Sequence, residues 1–236
     1  MSFSHNPKIY VIIPAAGSGS RMGKNSNKLF MEVAGIPVIE RTLKTFMDYG
    51  NTHCIVVTNE ENINAMKELQ ETKYPCIKKV VLGGNSRTES VNNGVQALSS
   101  LECPPDANDY VLIHDGARCM LTANVINNCC EGLKNNDVCV AGVPTKNTIK
   151  IVKNGIVEST PDRSALYEVQ TPQCFKYDVL KKSYDNATAN GIEATDDTAL
   201  AEILGYKVAI VEGSYSNIKI TTPEDIDFAQ GMLERT

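Results

Sequence analysis

Six short runs of apolar residues recur along the chain, with helical patterns between them. The runs are rich in Val and Ile and alternate little, which is typical of strands buried on both faces of a parallel sheet. They span residues 9–14, 54–58, 80–82, 110–114, 138–143 and 208–211. Between them, apolar positions repeat at helical spacing, as in residues 38–47 and 91–98. This pattern predicts an α/β fold, a doubly wound and mostly parallel sheet with helices on both faces.

One region breaks this pattern. Residues 147–158 alternate polar and apolar positions around Asn154-Gly155, a dipeptide favoured in tight hairpin turns. We predict a β-hairpin that either packs on its own domain or projects as an arm. An isolated two-stranded hairpin is marginal in water, so an arm needs a surface to lie against. The predicted organisation is therefore a core of residues 1–143 and 165–236 and a β-arm of residues 144–164.

The C-terminal segment carries two further signals. Residues 217–220 alternate as in a short strand, which would point Lys219 either to solvent or into a cleft. A helix is then predicted to open at Thr222-Pro223-Glu224-Asp225, because this run supplies an N-cap hydroxyl, a proline in the first turn and two acids.

The first strand leads directly into a loop of small residues, PAAGSGSRMG at positions 14–23. Without bulky side chains, the backbone N–H groups of such a loop can surround an anion closely. Arg21 lies at the end of the loop, and Lys28 follows it. We predict a polyphosphate cradle with two cations placed where charge builds up during reaction at phosphorus.

Two better-known phosphate motifs do not fit this loop. A P-loop ends in Gly-Lys-Ser/Thr, whereas Gly23-Lys24-Asn25 lacks the hydroxyl that holds magnesium. In a dinucleotide fingerprint the third glycine would come one residue earlier, and the acidic residue at the required distance, Glu40, lies inside a helical pattern. A glycine-rich turn without a ligand remains the alternative to the phosphate cradle.

Six further motifs follow in order. They are GGNSRTESV at 83–91, HDGAR at 114–118, DRSAL at 162–166, QTPQ at 170–173, TDD at 195–197 and EGSYSNIKITTPED at 212–225. Together with the opening loop they cover nearly the whole chain and resemble the 2-C-methyl-D-erythritol 4-phosphate cytidylyltransferases of the non-mevalonate isoprenoid pathway. The resemblance implies a Rossmann-like nucleotidyltransferase fold. It also implies transfer of a cytidylyl group from CTP to 2-C-methyl-D-erythritol 4-phosphate, with release of pyrophosphate.

The resemblance assigns expected roles to individual residues. The expected catalytic cations are Arg21, Lys28 and Lys219. The expected nucleotide contacts are Pro14, Ala15, Ala16, Gly17, Ser18, Gly19, Gly83, Asn85, Ser90, Asp115, Gly116 and Ala117. The expected acceptor contacts are Thr148, Arg163 and Thr195. Asp115 is in addition a candidate ligand for Mg²⁺ or another divalent cation, the expected cofactor.

Some of these residues also have ordinary structural explanations. Asp115 would serve equally well as a turn or cap residue, and Thr195 as a helix N-cap ahead of Asp196 and Asp197. His114 is expected to make a structural hydrogen bond at a strand end. The resemblance further implies a homodimer in which the arm of residues 144–164 reaches the partner's active site.

Composition narrows the class of protein. The chain has 236 residues and a net charge of −5 without a basic run, which argues against nucleic acid as the main partner. It contains no apolar stretch long enough to span a membrane, and its first eight residues are not signal-like, so a cytoplasmic location is expected. The expected partners are CTP, a polyol phosphate and a second copy of the chain.

Eight cysteines contain no C-x-x-C pair, which favours reduced, buried thiols over zinc or disulfides. Cys119 stands out because the family usually has proline after the HDGAR block. The loop there loses the fixed φ of proline, and a thiol lies beside the expected site, where it could react.

Alternative functions remain at this stage. A ribitol 5-phosphate cytidylyltransferase would share the loop, the segment around Lys219 and the acceptor phosphate, but the PAAG opening and the TDD block favour the methylerythritol enzymes. A non-catalytic nucleotide-binding module would not need both Arg21 and Lys28 beside a triphosphate. An NAD(P)-dependent enzyme is disfavoured because this chain lacks the acid that binds the ribose in such enzymes.

Overall fold

A computed structural model describes residues 6–17 and 27–234. In chain order the strands are β1 (Ile9–Ala15), β2 (Glu32–Val33), β3 (Ile36–Pro37), β4 (Thr52–Thr58), β5 (Ile77–Leu82), β6 (Tyr110–Ile113), β7 (Val138–Pro144), β8 (Ile151–Lys153), β9 (Ile156–Ser159), β10 (Tyr167–Lys176) and β11 (Val208–Glu212). The helices are α1 (Val38–Tyr49), α2 (Ile63–Thr72), α3 (Arg87–Leu98), α4 (Ala123–Asn135), α5 (Tyr177–Asn190), α6 (Thr198–Ile203) and α7 (Pro223–Leu233).

Seven strands form one sheet in the order β11-β7-β10-β6-β1-β4-β5. Only β10 runs antiparallel to its neighbours in this sheet, and the other pairings are parallel. Five of the six predicted apolar runs lie within one of the parallel strands, and the run at 110–114 extends one residue beyond β6, so the predicted fold class is confirmed. β10 was not predicted because Gln170, Thr171 and Gln173 interrupt its apolar pattern although all three are buried.

The sheet is apolar on both faces because successive side chains of a strand point to opposite sides. On β1, Val11 and Ile13 pack into the cluster formed with α1 and α4, whereas Tyr10 and Ile12 pack into the cluster formed with α3 and α5. All four side chains are fully buried. Burying a large apolar side chain contributes roughly 1.5–3 kcal/mol, so the two clusters stabilise β1 from both faces of the sheet.

The predicted hairpin is present and forms its own two-stranded sheet, in which β8 pairs with β9. Asn154 and Gly155 form its turn with φ values of 50° and 78°, the left-handed conformation that a type I′ turn needs. Both strands are exposed along their whole length, and Ile156 is 72% exposed. The hairpin therefore exposes apolar side chains to solvent. Its role as an arm of residues 144–164 stays a prediction.

The C-terminal segment confirms one prediction and corrects another. α7 begins at the predicted position, with a capping box between Thr222 and Asp225. Residues 217–220, however, do not form a strand. The Asn217 N–H bonds to the Ser214 carbonyl, and the Ile220 N–H reaches the Ala117 carbonyl at 2.8 Å. The alternation of polar and apolar residues at 217–220 therefore does not reflect a strand. A turn buries Asn217, and the bond from Ile220 to Ala117 holds the segment against the loop after β6. In the part of the chain that is described, no helix has the length and apolar character needed to cross a membrane.

Candidate active site

A cavity of about 430 Å³ opens at the carboxyl ends of β1 and β6, beside the N-terminus of α3. Ligands of open parallel sheets bind at this edge. The cavity is lined by Pro14, Ala15, Ala16, Gly17, Lys28, Leu29, Gly84, Asn85, Ser86, Arg87, Ser90, Asp115, Ala117 and Lys219. The structure thus brings together both predicted catalytic lysines, Lys28 and Lys219, and most of the predicted nucleotide contacts.

Two predicted nucleotide contacts, Gly83 and Gly116, do not line the cavity but pack directly against residues that do. A Cβ on Gly83 would come within 2.7 Å of the Ala16 Cβ, and one on Gly116 would come within 3.3 Å of the Pro14 carbonyl. The Gly116 N–H also donates to that carbonyl at 3.1 Å. Both glycines therefore allow close packing of the loops around the cavity. The remaining predictions in the opening loop, Ser18, Gly19 and Arg21, lie outside the described residues.

The loop before α3 is held by its own side chains. The Ser86 hydroxyl accepts from the Glu89 N–H at 3.0 Å, and the Glu89 carboxylate accepts from the Asn85 N–H at 2.7 Å. The Ser90 hydroxyl accepts from the Gly84 N–H at 3.0 Å. Because these bonds tie the loop to the first turn of α3, Asn85 and Ser90 reach the cavity from a well-restrained segment. The Ser-x-x-Glu spacing in the sequence is the signal that identifies this cap.

A buried carboxylate, Asp115, stands at the cavity wall among three cations. Its nearest partner is Lys219, whose Nζ lies 2.8 Å from Oδ2. Arg87 Nη2 and Arg118 Nε lie 3.6 Å and 3.7 Å from its two oxygens. Burial by itself would raise the pKa of Asp115, but the cations, Lys219 foremost, outweigh it and lower the pKa to about 2. Asp115 is therefore ionised at neutral pH.

The two arginines and their partners were missed as site residues from the sequence. Arg87 makes a two-pronged ion pair with Asp197, with both nitrogen–oxygen distances at 2.7 Å. Arg118 donates from Nη1 to the Asn217 carbonyl at 2.7 Å. All lie within the family-like blocks, but 110 residues separate Arg87 from Asp197. Local sequence spacing cannot predict an ion pair between residues so far apart. The signal that the sequence did contain is the presence of charged residues within the motifs that resemble the family.

Behind Asp115, a short hydrogen-bond chain fixes the loop after β6. The Asp115 N–H donates to the Thr171 hydroxyl at 3.1 Å, and that hydroxyl meets His114 Nδ1 at 3.1 Å. His114 Nε2 lies 3.1 Å from the Arg118 carbonyl, so the arrangement suits a neutral imidazole that carries its proton on Nε2. Burial lowers the pKa of His114 to about 4, which keeps the ring neutral. His114 has the structural role that was expected at this strand end.

Cys119 does not have the features of the reactive thiol that the sequence allowed. Its side chain is buried, and burial raises its pKa to about 11. Cys119 instead lines a separate cavity of about 500 Å³ between α1 and the end of α7. A thiol that stays protonated is a poor nucleophile, so the replacement of proline leaves an inert packing residue here.

The predicted acceptor contacts lie apart from the main cavity. Arg163 lines a second, open cavity of about 630 Å³ with Lys146 and Tyr167 at the base of the hairpin, and Thr148 is exposed on the hairpin side. Thr195 is exposed beside α6 and is not its cap. The Asp196 carboxylate takes that role by accepting from the Ala199 N–H at 2.9 Å. Within one chain, Thr148 and Arg163 are therefore not among the residues that line the Asp115 cavity.

The described residues contain no group of three or more His, Cys, Asp or Glu side chains that could hold a metal by themselves. Asp115 is the carboxylate that faces the main cavity. A single carboxylate is a sufficient protein ligand for Mg²⁺ when the oxygens of a polyphosphate supply the others. The residues present therefore fit a metal that enters together with a nucleotide.

Comparisons with known proteins agree with this geometry. The family model for 2-C-methyl-D-erythritol 4-phosphate cytidylyltransferase matches residues 9–235. A curated relative of that name from a Nostoc strain is 42% identical over 231 residues, which are 95% of this chain and 97% of the relative. One from Bacillus mycoides is 42% identical over 226 residues, which are 94% of this chain and 96% of the relative.

Solved structures match over the same extent. The crystal structure of a 4-diphosphocytidyl-2C-methyl-D-erythritol synthase from Anaerococcus prevotii aligns with a TM-score of 0.84 and 34% identity, and covers 97% of this chain and 99% of that chain. The Thermus thermophilus 2-C-methyl-D-erythritol 4-phosphate cytidylyltransferase aligns with a TM-score of 0.73 and 28% identity, and covers 96% of this chain and 99% of that chain.

The lowered pKa of Asp115 predicts a pH-dependent contribution to stability. Because its folded-state pKa of about 2 lies below the usual 3.8, the ionised carboxylate stabilises the fold fully above the usual value. That contribution is lost as pH falls towards 2. At pH 7 we expect Asp115→Asn to be less stable than the parent in urea unfolding, with the gap narrowing as pH falls below about 4. Burial lowers the pKa of His114 to about 4 and the Asp115 charge partly offsets that effect, so His114 titrates in the same pH range and both proteins are compared in a His114→Gln background. A gap that stays constant down to pH 2 would contradict the assignment.

Proposed function

The chain belongs to the family of 2-C-methyl-D-erythritol 4-phosphate cytidylyltransferases, and we propose that it transfers the cytidylyl group of CTP to 2-C-methyl-D-erythritol 4-phosphate. The product would be the CDP derivative of the acceptor, an intermediate of isoprenoid biosynthesis by the non-mevalonate pathway, and pyrophosphate would leave. The observation that carries this proposal is the cavity at the strand ends, where the backbone of residues 14–17 faces Lys28 and Lys219.

The reaction needs alignment and charge neutralisation rather than a protein nucleophile. An oxygen of the acceptor's phosphate forms a bond to the α-phosphorus of CTP, and the bond from that phosphorus to the bridging oxygen breaks. The electron pair leaves with pyrophosphate. Lys28 and Lys219 both line the cavity, and we propose that they stabilise the charge that builds up around the α-phosphorus. Arg21, which is not described, is proposed to add a third cation.

The other wall of the cavity suits the nucleoside. Asn85 presents an amide from the loop before α3, Ser90 presents a hydroxyl from the first turn of α3, and Gly83 lets the loop approach Ala16. We propose that this wall holds the cytosine base by hydrogen bonds. Asp115 is proposed to contact the ribose or to hold Mg²⁺ together with the triphosphate oxygens. Bound there, the ion would neutralise phosphate charge and orient the triphosphate.

We propose a homodimer in which the hairpin of one chain reaches the other. The support is twofold: Ile151, Val152, Ile156 and Val157 leave apolar surface exposed on the hairpin, and Thr148 and Arg163 lie away from the chain's own cavity. An arginine fork suits a phosphate group. Arg163 from one chain would thus bind the acceptor phosphate beside the partner's cavity, where Thr195 adds a hydroxyl. The cytoplasmic location stays a prediction from the sequence.

Pyrophosphate release tests the proposed reaction. With CTP and Mg²⁺, we expect release with 2-C-methyl-D-erythritol 4-phosphate and at least about a hundredfold less with ribitol 5-phosphate, because a site built for one polyol leaves polar groups unpaired around the other. Release only with ribitol 5-phosphate would keep the mechanism and change the substrate. Release with neither acceptor would contradict the proposal.

A lysine variant in the cavity and a matched control on the surface test the role of Lys28 in this reaction. Lys28→Met should lower turnover by roughly 10²–10³-fold, the usual loss when a group that stabilises transition-state charge is removed. CTP binding, measured by calorimetry, should weaken far less. Lys181→Met should change neither quantity, since Lys181 pairs with Asp185 on the surface of α5. Equal effects of the two variants would show that lysine loss acts through overall charge rather than through the site.

The hairpin generates a separate prediction about assembly. Ile156→Asp places a charge on the most exposed apolar side chain of the hairpin and should shift the protein from dimer to monomer in sedimentation experiments. Phe228→Asp is the matched control, because Phe228 is 56% exposed on α7 and not on the hairpin. A dimer that survives Ile156→Asp but dissociates with Phe228→Asp would place the interface elsewhere.

A further inference from the structure

Two arginines lie beside Asp115, yet each is bonded to a different acceptor. Arg87 is 3.6 Å from the Asp115 carboxylate but makes both of its 2.7 Å bonds to Asp197. Arg118 is 3.7 Å away and makes its 2.7 Å bond to the Asn217 carbonyl. Both distances to Asp115 are too long for hydrogen bonds. The cation that does bond to Asp115 is Lys219, at 2.8 Å.

Asp197 is held in place from several directions. The Tyr184 hydroxyl donates to its Oδ1 at 2.5 Å, and its own N–H donates to Gln173 Oε1 at 2.7 Å. Tyr184 and Gln173 are themselves buried, and the Asp197 side chain is only 1% exposed. Burial also raises the pKa of Tyr184, which keeps the phenol as a donor. The Asp197 carboxylate is therefore a rigid acceptor whose two oxygens match the fork of Arg87.

Arg87 would compete for Asp115 if this acceptor were lost. Its guanidinium is already so near that a shift of about 1 Å would bring it to hydrogen-bond distance of Asp115. A guanidinium can bind a carboxylate through two parallel bonds, whereas an ammonium binds as a point charge. The Arg87 side chain is also less exposed than that of Lys219, 30% against 39%, so it has less access to water as an alternative partner. Arg87 would therefore displace Lys219.

We propose that Asp197 is a positioning residue that keeps Arg87 off Asp115 and so reserves the Asp115 carboxylate for Lys219. Lys219 is then held at the cavity wall, while Arg87 remains close enough to add positive potential. The consequence for turnover rests on the proposed function, in which Lys219 faces the triphosphate. The choice of ion-pair partner, in contrast, is a property of the folded chain and can be measured without substrate.

The test measures how fast Lys219 is acetylated in the nucleotide-free protein, by peptide mass spectrometry with acetic anhydride as the probe. The amine of a lysine that is bonded to a carboxylate is less available to the reagent than a free one. In Asp197→Asn, Arg87 should take Asp115, and Lys219 should react at least about threefold faster because the carboxylate no longer holds its amine. Acetylation of Lys181 in the same molecule provides the internal standard.

The decisive comparison is the double variant Arg87→Gln with Asp197→Asn. It has no arginine at position 87 to compete, so Lys219 should return to the parent rate or below it. If Asp197 merely supported the fold, the double variant would react as fast as Asp197→Asn or faster. That result, or an unchanged rate in Asp197→Asn, would overturn the proposal.

Tyr184→Phe keeps the test decisive if Asp197→Asn does not fold. This variant preserves all the charges and removes one of the hydrogen bonds that restrain Asp197, so it should accelerate Lys219 acetylation less than Asp197→Asn does. No acceleration in a folded Tyr184→Phe would then overturn the proposal.

Turnover assays on the same proteins separate this proposal from the proposed function. Asp197→Asn should lower the rate constant for turnover, and the double variant should recover part of the loss. If acetylation changes as expected but turnover does not, Asp197 selects the partner of Asp115 and the proposed role of Lys219 is wrong. If acetylation does not change, the positioning role is wrong whatever the turnover.

Discussion

The Asp115 carboxylate is buried where β6 ends, and the site depends on the cations that keep it ionised. Removing such a charge from water is costly, and the cost is offset only when cations and hydrogen bonds surround it. Lys219, Arg87 and Arg118 face Asp115, and Asp197 offsets part of their charge. Three cations against two carboxylates leave one positive charge, so the wall of the cavity suits a polyanion.

The antiparallel strand β10 supports this cluster. Thr171 accepts from the Asp115 N–H, and its carbonyl accepts from the Asn217 side chain at 2.7 Å. Gln173, two residues on, accepts from the N–H groups of Asp197 and Thr198. One strand thus positions the loop after β6, the segment that carries Lys219 and the start of α6. Buried polar residues on a central strand are costly unless every group is bonded, and here the bonds extend directly into the site.

The sequence predicted the parallel part of the sheet well because strands buried on both faces read as apolar runs. It did not predict β10, whose buried Gln170, Thr171 and Gln173 break that pattern. The alternation at residues 217–220 predicted a strand, whereas a turn and the bond from Ile220 to Ala117 fix that segment. The lysines and small residues of the cavity came from local motifs and the family resemblance. The bond between Arg87 and Asp197 joins positions 110 residues apart, and local patterns contain no information about such pairs.

The most direct measurement is a crystal structure with Mg²⁺ and a CTP analogue that cannot release pyrophosphate. We expect the triphosphate to lie along residues 14–17, with the α-phosphate within hydrogen-bond distance of Lys28 and Lys219. Asp115 should contact the ribose or the metal, and the base should lie against Asn85 and Ser90. A nucleotide bound elsewhere, or one with its triphosphate directed away from Lys219, would contradict the account.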